Sequence, residues 1–305
     1  MKKSNCVLCQ DFKVRCAMIK QLKTKHPLKM LCQHLNVSVS GYLAHQPESP
    51  RQQKDQRLIT HIRAAHERGR GSYGPSKIQT ELAEQSGVHL GINSIKRLRK
   101  IAGIRCKHKR KFRVTTDSKH KLPVAPNLLN RQFNPTSPNQ VWVADITYIP
   151  TDEGWLYLAA VKDLNTCEIV GWAMDERMTK TLVCDALRAA YWRKKPSPGL
   201  MHHSDRGSQY CSKAYRALQT SYKMQTSMSN KGDCWDNAPM ESFYGTLKTE
   251  CLHHYKFKTR AEAKRVTFEY IEVFYNQIRR HAKLNNQAPA QFAKTYHQNL
   301  KENAA

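Results

Sequence analysis

Residues 141–149 read VWVADITYI, an apolar run that is rich in β-branched and aromatic residues and is interrupted at its centre by Asp145. This composition predicts a buried β-strand. An ionised carboxylate in such a run is costly unless a cation or a hydrogen-bond donor compensates its charge. The run therefore predicts a central strand that carries a polar site.

Two further acids stand in local contexts that suit a metal ion. Asp205 ends a second strand-like run, 199–204, and precedes a loop. Glu241 opens a predicted helix over 241–248, in which Asn237 is a suitable cap and Pro239 is tolerated in the first turn. Three carboxylates can hold two Mg²⁺ ions about 3.5–4 Å apart, and such a pair catalyses in-line displacement at phosphorus. The three acids therefore predict phosphodiester chemistry on nucleic acid, with two Mg²⁺ ions as cofactors and Mn²⁺ as a substitute.

Lys248 lies seven residues after Glu241, on the same predicted helix face, with Tyr244 between them. A lysine in this position can hold a phosphate beside the metal ions. It can equally form a simple ion pair with one of the acids. Both interpretations of Lys248 remain open at this point.

Other polar residues near the three acids favour structural roles. We interpret Asp233 and Asp236 as turn and cap residues and Glu250 as a solvent-facing helix acid. His202 and His203 directly precede Asp205, where one of them could orient a metal-bound water. A hydrogen-bonded strand histidine is the favoured interpretation of both.

The charge of the chain is strongly positive and unevenly distributed. Its 305 residues contain 51 Lys+Arg and 24 Asp+Glu, a formal net charge of +27. Residues 1–125 carry a net charge of +20, and residues 126–305 carry +7. The span 94–121 holds twelve Lys or Arg and one Asp. This density predicts binding to a polyanion, although a merely solvated basic segment is the alternative.

Apolar residues recur at helical spacing before the basic span and at its start. A helix is predicted over 56–67, a turn over 69–75, and then two short amphipathic helices separated at Gly87. The pair resembles a helix-turn-helix, the alternative being a three-helix linker domain whose bases are solvated. The side chains that we expect to contact DNA, besides Lys248, are Lys96, Arg97, Arg99, Lys100, Lys109, Arg110 and Lys111.

The N-terminal residues predict a short helix, a turn and a second helix start over 28–43. Asn36 is placed to end the first helix and Ser38 to cap the second. Cys6 and Cys9, with Cys16 and His26 nearby, match a zinc knuckle poorly because no second pair stands at regular spacing. The ten cysteines follow no framework spacing, which indicates reduced thiols. Without an apolar run of about eighteen residues or a signal-peptide pattern, we expect a cytoplasmic, nucleoid-associated protein that contacts no membrane.

The second half of the chain predicts an α/β fold. Strands over 141–149, 155–163 and 168–174 form an antiparallel meander, and alternating helices and strands follow. The result is a mixed sheet with flanking helices, preceded by a small all-α helix-turn-helix region. If the first and fourth strands are neighbours, Asp145 and Asp205 face each other. The helix predicted over 241–248 then brings Glu241 toward these two acids.

A capping box over 259–262 predicts a long C-terminal helix that reaches about Arg280. Its predicted core stripe consists of Val266, Tyr270, Val273 and Phe274. The basic end of this helix either touches DNA or is solvated, and it consists of Arg279, Arg280, His281 and Lys283. We expect Trp142, Trp155 and Trp172 to lie in the core of the sheet.

The predicted domains follow from these patterns and from the proline-rich stretch before residue 139. They are an N-terminal helical segment over 1–50, a basic helix-turn-helix-like region over 51–121, a linker over 122–138, and a catalytic domain with a C-terminal helix over 139–305.

Four segments carry a resemblance to a known family. Residues 142–148 (WVADITY), 153–158 (EGWLYL), 203–210 (HSDRGSQY) and 236–248 (DNAPMESFYGTLK) resemble those of OrfB-type transposases of bacterial insertion sequences. That family belongs to the DDE superfamily, which includes retroviral integrases. The similarity extends from about Lys29 to residues 289–292.

The resemblance implies an RNase H-like catalytic fold. It puts Asp145, Asp205 and Glu241 at the positions of the family's metal-binding triad and Lys248 at that of its DNA-contacting lysine. It implies double-stranded DNA as the partner, namely terminal repeats and target. It also implies a fusion by frameshifting to an upstream-frame product with another helix-turn-helix and a zipper, and we expect a homo-oligomer on DNA because pairing two ends needs a multimer.

Three functions are compatible with these features. The favoured one is a transposase that cuts a strand at an element end and joins the freed 3′-OH to another phosphodiester. The second is an RNase H-like nuclease or junction resolvase, which shares the acids but requires no recognition of specific ends. The third is a DNA-binding regulator with an inactive core, and the intact triad argues against it.

Overall fold

The computed structural model describes residues 11–45, 50–107 and 122–302 of the chain. The chain divides into two compact units, Met1–His61 (the N-terminal unit) and Ile62–Ala305 (the main unit). Among the described residues, no helix combines the length and the apolar character that crossing a membrane requires. The boundaries predicted at residues 50, 121 and 138 stay predictions.

The N-terminal unit contains three short helices, α1 (Phe12–Leu22), α2 (Leu28–His34) and α3 (Val39–His45), and the first part of a longer helix that begins at Pro50. The helix, turn and helix predicted over 28–43 are therefore confirmed. Cys16 and Cys32 are buried in the apolar core between these helices, and Cys6 and Cys9 lie outside the described residues.

Three helices form the basic region, α4 (Pro50–Arg68), α5 (Pro75–Ser86) and α6 (Ile92–Ile101). Helix α4 begins six residues before the predicted start at residue 56. Gly87 ends α5 in the left-handed conformation, with φ of 62°, which glycine adopts without steric cost. Ile78 and Leu82 of α5 and Ile95 and Leu98 of α6 are buried, as their periodicity predicts, whereas Ile92 and Ile101 at the two ends of α6 are exposed.

The sheet of the main unit has five strands, β1 (Val141–Thr151), β2 (Gly154–Asp163), β3 (Ile169–Asp175), β4 (Met201–Ser204) and β5 (Gln225–Met228). Their order is β3-β2-β1-β4-β5. The β1–β2 and β2–β3 pairs are antiparallel, and β4 pairs in parallel with both β1 and β5. The predicted meander and mixed sheet are confirmed.

Apolar cores cover both faces of the sheet. Successive side chains of β1 point to opposite faces, so Val141 and Val143 join one core while Trp142 and Ala144 join the other. The flanking helices are α7 (Lys180–Lys194), α8 (Lys213–Ser221), α9 (Ala238–Glu250), α10 (Arg260–Phe268) and α11 (Pro289–Glu302). Helices α7 and α8 pack on one face, and α9 and α10 contribute to the core on the other.

The C-terminal helix differs from the prediction. Thr259 caps α10 by accepting a hydrogen bond from the Glu262 N–H at 3.1 Å, as the capping box predicts. The chain then continues from Glu269 to Tyr275 as a π-helix, not as an α-helix to Arg280. The wider turn shifts the apolar stripe, so Val273 is 46% exposed and its predicted core position is wrong.

The three strand tryptophans have different environments. Trp142 is fully buried and Trp172 is partly buried, but Trp155 is 49% exposed and its predicted core position is wrong. Trp155 pairs with Pro150 beside the β1–β2 turn, where the sheet is no longer covered on both faces.

The prediction that Glu250 faces solvent is also wrong. It is 7% exposed at the end of α9 and accepts hydrogen bonds from Arg279 Nε at 2.8 Å and Nη2 at 2.9 Å. Tyr270 donates a third bond at 2.7 Å. Burial alone would raise the pKa of Glu250, but the hydrogen bonds and charge of Arg279 hold it below its ordinary value.

The basic residues after the π-helix are engaged in hydrogen bonds within the protein, and of these residues Lys283 is exposed. Arg280 is buried and donates to Glu81 and Glu84 of α5, each at 2.6 Å. Lys283 donates to the carbonyl oxygens of Phe133 and Leu164. His281 lies within hydrogen-bonding distance of Arg279, and burial and the nearby cations lower its pKa to about 2.

Glu250→Ala leaves the guanidinium of Arg279 buried without its carboxylate. We expect the free energy of unfolding to fall by about 3–5 kcal/mol, the cost of an uncompensated buried charge. The measurement is urea unfolding followed by tryptophan fluorescence. Because the folded-state pKa of Glu250 is lowered, its contribution is present above the ordinary carboxyl pKa and is lost as the pH falls through the lowered value.

The control is Asp185→Ala, which removes a pair with Arg188 in which both side chains are 51% exposed. This change should cost no more than about 1 kcal/mol. Equal urea midpoints for the Glu250→Ala and Asp185→Ala proteins would contradict a structural role for the Glu250–Arg279 pair.

Candidate active site

Asp145 and Asp205 directly follow the last residue pair of two adjacent parallel strands. Ala144 of β1 pairs with Ser204, the last residue of β4; Asp145 is the next residue of β1, and Asp205 is the first residue after β4. Neighbouring strands are about 4.8 Å apart, so the two carboxylates leave the sheet side by side. The adjacency expected from the order of the strands is present.

A tight loop fixes Asp205 after β4 ends. The Gly207 N–H donates to Asp205 Oδ1 at 2.9 Å, and the Tyr210 N–H donates back to the Gly207 carbonyl at 3.0 Å. A Cβ at position 207 would lie 3.0 Å from the same carboxylate oxygen. Glycine is therefore suited to this position because a larger residue would press against Asp205.

The two histidines of β4 are structural. His203 is hydrogen-bonded to Ser227 at 2.8 Å and to Ser229 at 3.2 Å. His202 is fully buried against Tyr215 and Gln219. Burial lowers the pKa of His202 to about 3 and that of His203 to about 4, so both rings are neutral at pH 7. The structure supports the strand-histidine interpretation.

Helix α9 is attached to β1 on both sides of Glu241. The Asn237 Nδ2 group donates to the Ala144 carbonyl at 3.1 Å, and the Tyr244 hydroxyl donates to the Asp145 carbonyl at 2.5 Å. Glu241 lies between Asn237 and Tyr244, one helical turn from each. The start of α9 is therefore held against the strand that carries Asp145.

Asn237 does not cap α9 with its side chain, contrary to the prediction. Its amide nitrogen bonds β1 instead, and its Oδ1 is buried without a hydrogen-bond partner. The strand contact therefore replaces the cap, and the helix start is fixed by tertiary structure.

Asp236 and Asp233, the nearby alternative acids, are engaged elsewhere. Asp236 is buried and accepts hydrogen bonds from the Asn230 N–H at 2.8 Å, from Asn127 at 2.9 Å and from Arg131 at 2.8 Å. Asp233 forms an ion pair with the same Arg131. Both acids hold the loop before α9 to the segment that precedes β1.

Lys162 of β2 is a residue that the sequence interpretation missed. It is a buried lysine whose ammonium donates to the Pro239 carbonyl at 3.3 Å in the first turn of α9. Burial lowers its pKa. A cation inside an apolar strand is the same kind of signal that identified Asp145, and it could have been found in the same way.

The electrostatic environment of Asp145 shows that the three acids share one neighbourhood. Burial raises the pKa of Asp145 well above its ordinary value, and the negative charges of Asp205 and Glu241 raise it further. The Ile146 N–H and the positive charge of Lys248 act in the opposite direction. The protein therefore holds like charges close together where solvent screens them poorly.

Glu241 occupies a more open position than the two aspartates. It is an exposed residue in the first turn of α9, and partial enclosure of its carboxyl raises the pKa. Within residues 11–45, 50–107 and 122–302, no three His, Cys, Asp or Glu side chains are arranged to hold one metal ion. The acids are neighbours, but their side chains are not drawn together around a single point.

Lys248 lies on α9 beside the acids. Its ammonium is 4.7 Å from the ring centre of Tyr148, a cation–π contact. Burial lowers the pKa of Lys248, and the charge of Asp145 partly offsets that effect. The lysine is therefore close enough to Asp145 for electrostatic interaction.

The basic side chains of α6 differ in their surroundings. Lys96, Arg97 and Lys100 are exposed, whereas Arg99 is half-buried and donates to Cys106 Sγ at 3.1 Å. Three other predicted DNA contacts lie outside the described residues, namely Lys109, Arg110 and Lys111.

Comparisons with known proteins agree with this architecture. Residues 135–234 and 241–296 match models described as "Integrase core domain", and residues 53–112 match one described as "HTH-like domain". The first two matches contain the three acids, and the third contains α5 and α6.

Two solved structures with low sequence identity also align. One is the simian T-cell lymphotropic virus intasome in complex with PP2A regulatory subunit B56 gamma, with a TM-score of 0.45, 15% identity and coverage of 72% of this chain and 74% of that chain. The other is the HTLV-2 integrase catalytic core domain in complex with magnesium, with a TM-score of 0.41, 16% identity and coverage of 52% and 98%.

Curated relatives are much more similar in sequence. The "Insertion element IS600 uncharacterized 31 kDa protein" of Shigella sonnei is 58% identical over 88% of this chain and 99% of its own length. The transposase InsF for insertion sequence IS3A of Escherichia coli K12 is 40% identical over 90% of this chain and 96% of its own length. These matches confirm the resemblance to OrfB-type proteins, and the chain belongs to the family of insertion-sequence transposases built on the integrase core domain.

Proposed function

We propose that this transposase cleaves DNA strands at the ends of its insertion sequence and transfers the freed 3′-OH to a target phosphodiester by a DDE mechanism. The observation that carries the proposal is the adjacency of Asp145 and Asp205, which directly follow the last paired residues of β1 and β4. Attachment of α9 to the same part of β1 supports Glu241 as the third acid.

The residues present fit a divalent metal. Asp145 and Asp205 put two carboxylates side by side, and burial together with the negative charge of Asp205 raises the pKa of Asp145. Bound cations would relieve that repulsion, and Mg²⁺ prefers carboxylate oxygens as protein ligands. We propose two Mg²⁺ ions, with Mn²⁺ able to substitute. We propose that Glu241, which is exposed, turns its side chain toward the aspartates when metal binds.

The protein groups have distinct tasks in this proposal. Asp145 and Asp205 hold the metal from the rigid sheet, and Glu241 completes the site from α9. Bound metal would activate the attacking oxygen and stabilise the leaving oxygen of an in-line displacement. Lys248, held beside Asp145, would bind a phosphate oxygen of the DNA and orient the strand.

The DNA partner would be bound chiefly outside the catalytic site. Lys96, Arg97 and Lys100 are exposed on α6 within the HTH-like match, which supports contact with the phosphates of terminal repeats. Because two ends must be paired, we propose that the active form is a homo-oligomer on DNA. We further propose that the upstream-frame product, fused by frameshifting, supplies the interface between the copies.

Replacing Asp145, Asp205 or Glu241 by its amide should reduce strand cleavage by at least about a thousandfold, because each change removes a metal ligand with little loss of packing. DNA affinity measured without divalent metal should remain unchanged. Binding of Mn²⁺, followed by electron paramagnetic resonance, should weaken in each variant. The assay uses a labelled duplex that carries the element's terminal sequence, and strand-joined products would separate a transposase from a simple nuclease.

The matched control for the amide variants is Asp185→Asn, which changes an exposed aspartate of α7 that is paired with Arg188. It should cleave and bind Mn²⁺ like the unchanged protein. A Glu241→Gln protein that retains full cleavage would exclude Glu241 from the site.

Lys248→Ala should lower cleavage about 10- to 100-fold, the size expected when one charge-assisted hydrogen bond to phosphate is removed. The effect should appear mainly as a higher KM for DNA, with Mn²⁺ binding retained. Lys248→Arg should recover part of the activity because it preserves the charge. Weakened Mn²⁺ binding with an unchanged KM would instead assign Lys248 to an ion pair with Asp145.

Replacing Lys96, Arg97 and Lys100 together by alanine should weaken binding to duplex DNA and flatten its dependence on salt. Each phosphate contact contributes about 0.9 to the slope of log K against log salt, so the slope should fall by about 2–3. The control removes the same number of exposed basic side chains from α10 and α11, namely Lys264, Lys294 and Lys301. Equal slopes for the two triple variants would refute α6 as the DNA-binding helix.

A further inference from the structure

The turn between α2 and α3 is fixed by one backbone conformation and by side-chain hydrogen bonds of two residues, Ser38 and Arg15. Asn36 has a φ of 50°, a left-handed conformation that breaks the helix. The Ser38 side chain accepts the Gly41 N–H at 2.9 Å and so caps α3. Arg15 of α1 donates to the carbonyls of Leu35 at 3.2 Å and Asn36 at 2.9 Å. Two short helices are thus joined by a rigid four-residue turn over 35–38.

A small apolar core packs α3 on the other two helices. Tyr42 is the buried residue of α3. It belongs to a single cluster with Ile19 of α1, Leu31 of α2 and Val37 of the turn. A Cβ at Gly41 would lie 2.7 Å from the Ser38 hydroxyl, so the turn and α3 approach closely there. Such a three-helix arrangement, with a tight turn before the last helix, is that of helix-turn-helix modules.

The outward side of α3 is exposed and carries no acid. Ser40, Ala44 and His45 are exposed, and Leu43 is 58% exposed. Hydroxyl groups bond base edges, and small apolar side chains contact the methyl group of thymine in the major groove. The composition of this side therefore suits base edges better than it suits a large apolar partner.

The charge of the surrounding residues complements DNA. Residues 11–45 contain six Lys or Arg and one acid, Asp11. Lys23 and Lys25 lie exposed between α1 and α2, and Lys29 lies exposed in the first turn of α2. Exposed lysines that flank a helix-turn-helix are placed to contact phosphates on either side of a groove.

We propose that α2 and α3 form a second helix-turn-helix that binds duplex DNA, with α3 in the major groove. This module lies outside residues 53–112, which match the HTH-like domain. The inference rests on the proposed function for the identity of its ligand, since the DNA is that of the element or its target. It adds a second site of DNA contact to each copy of the chain.

The test uses the full chain, a duplex with the element's terminal sequence and its flank, and no divalent metal. Ser40→Glu combined with Ala44→Glu puts two negative charges on the exposed side of α3. Hydroxyl-radical footprinting of the unchanged protein should show two protected patches, and the double variant should protect only one of them. Affinity by fluorescence anisotropy should fall about tenfold or more, equivalent to about 1.4 kcal/mol.

The matched control is Gln298→Glu combined with Asn299→Glu, which adds the same charge at exposed positions of α11. It should keep both patches. A second variant, Lys23, Lys25 and Lys29 replaced by alanine, leaves the apolar core untouched. It should lower the salt slope by up to about 0.9 for each phosphate that a lysine no longer neutralises.

An unchanged footprint and affinity in both N-terminal variants would overturn the proposal. So would failure of strand joining with DNA binding intact, because that result assigns the unit to a protein contact. The proposed function is tested separately: it fails if the Asp205→Asn protein still cleaves DNA. The two ideas can therefore fail independently.

Discussion

The hydrogen bonds between α9 and β1 determine the geometry of the candidate site. Asn237 and Tyr244 donate to the carbonyls of Ala144 and Asp145, the last paired residue of β1 beside β4 and the acid that follows it. A carbonyl oxygen has two lone pairs, so it can accept a side-chain donor in addition to a backbone bond. Attachment at two points one turn either side of Glu241 fixes both the position and the rotation of the helix start. Without it, the third acid would have no defined relation to the sheet.

The same geometry holds negatively charged side chains that repel each other. Asp145 is enclosed beside two other acids, and burial and the charges of those acids raise its pKa because both disfavour the ionised carboxylate. Lys248 offsets part of this repulsion. A folded protein tolerates such an arrangement only when the rest of the structure determines it, and here the parallel pairing of β1 with β4 does so. A site that is repulsive when empty gains affinity for divalent cations, which is the property that the proposed chemistry needs.

Local sequence patterns predicted the strands and the positions of the acids, but they could not reveal partners that are distant in sequence. Residues 141–149 alternate between two buried faces, so periodicity was sufficient to identify β1. Glu250 looked like a solvent-facing helix acid because nothing near it in sequence shows that Arg279 lies against it. The exposure of Val273 follows from a π-helix that no local signal marked. The sequence around Trp155 is typical of a strand, yet this residue lies beside the β1–β2 turn, where the sheet is not covered on both faces. Each error arose where tertiary contacts decided the outcome.

Pairs of residues that are distant in sequence join the HTH-like helices of the main unit to the part of that unit that contains the sheet. Arg280 donates to Glu81 and Glu84 of α5, and Lys107, which follows α6, donates to the Glu250 carbonyl at the end of α9. A buried ion pair adds little net stability over an apolar contact. An arrangement that separates the two partners leaves an uncompensated buried charge, so such arrangements are unfavourable. These contacts therefore restrict the position of the HTH-like helices relative to the sheet more than they stabilise the fold. Because Lys107 contacts the helix that carries Glu241 and Lys248, DNA held by α6 would lie at a defined distance from the three acids. In the proposed function, recognition and chemistry are then linked by contacts between residues that are distant in sequence.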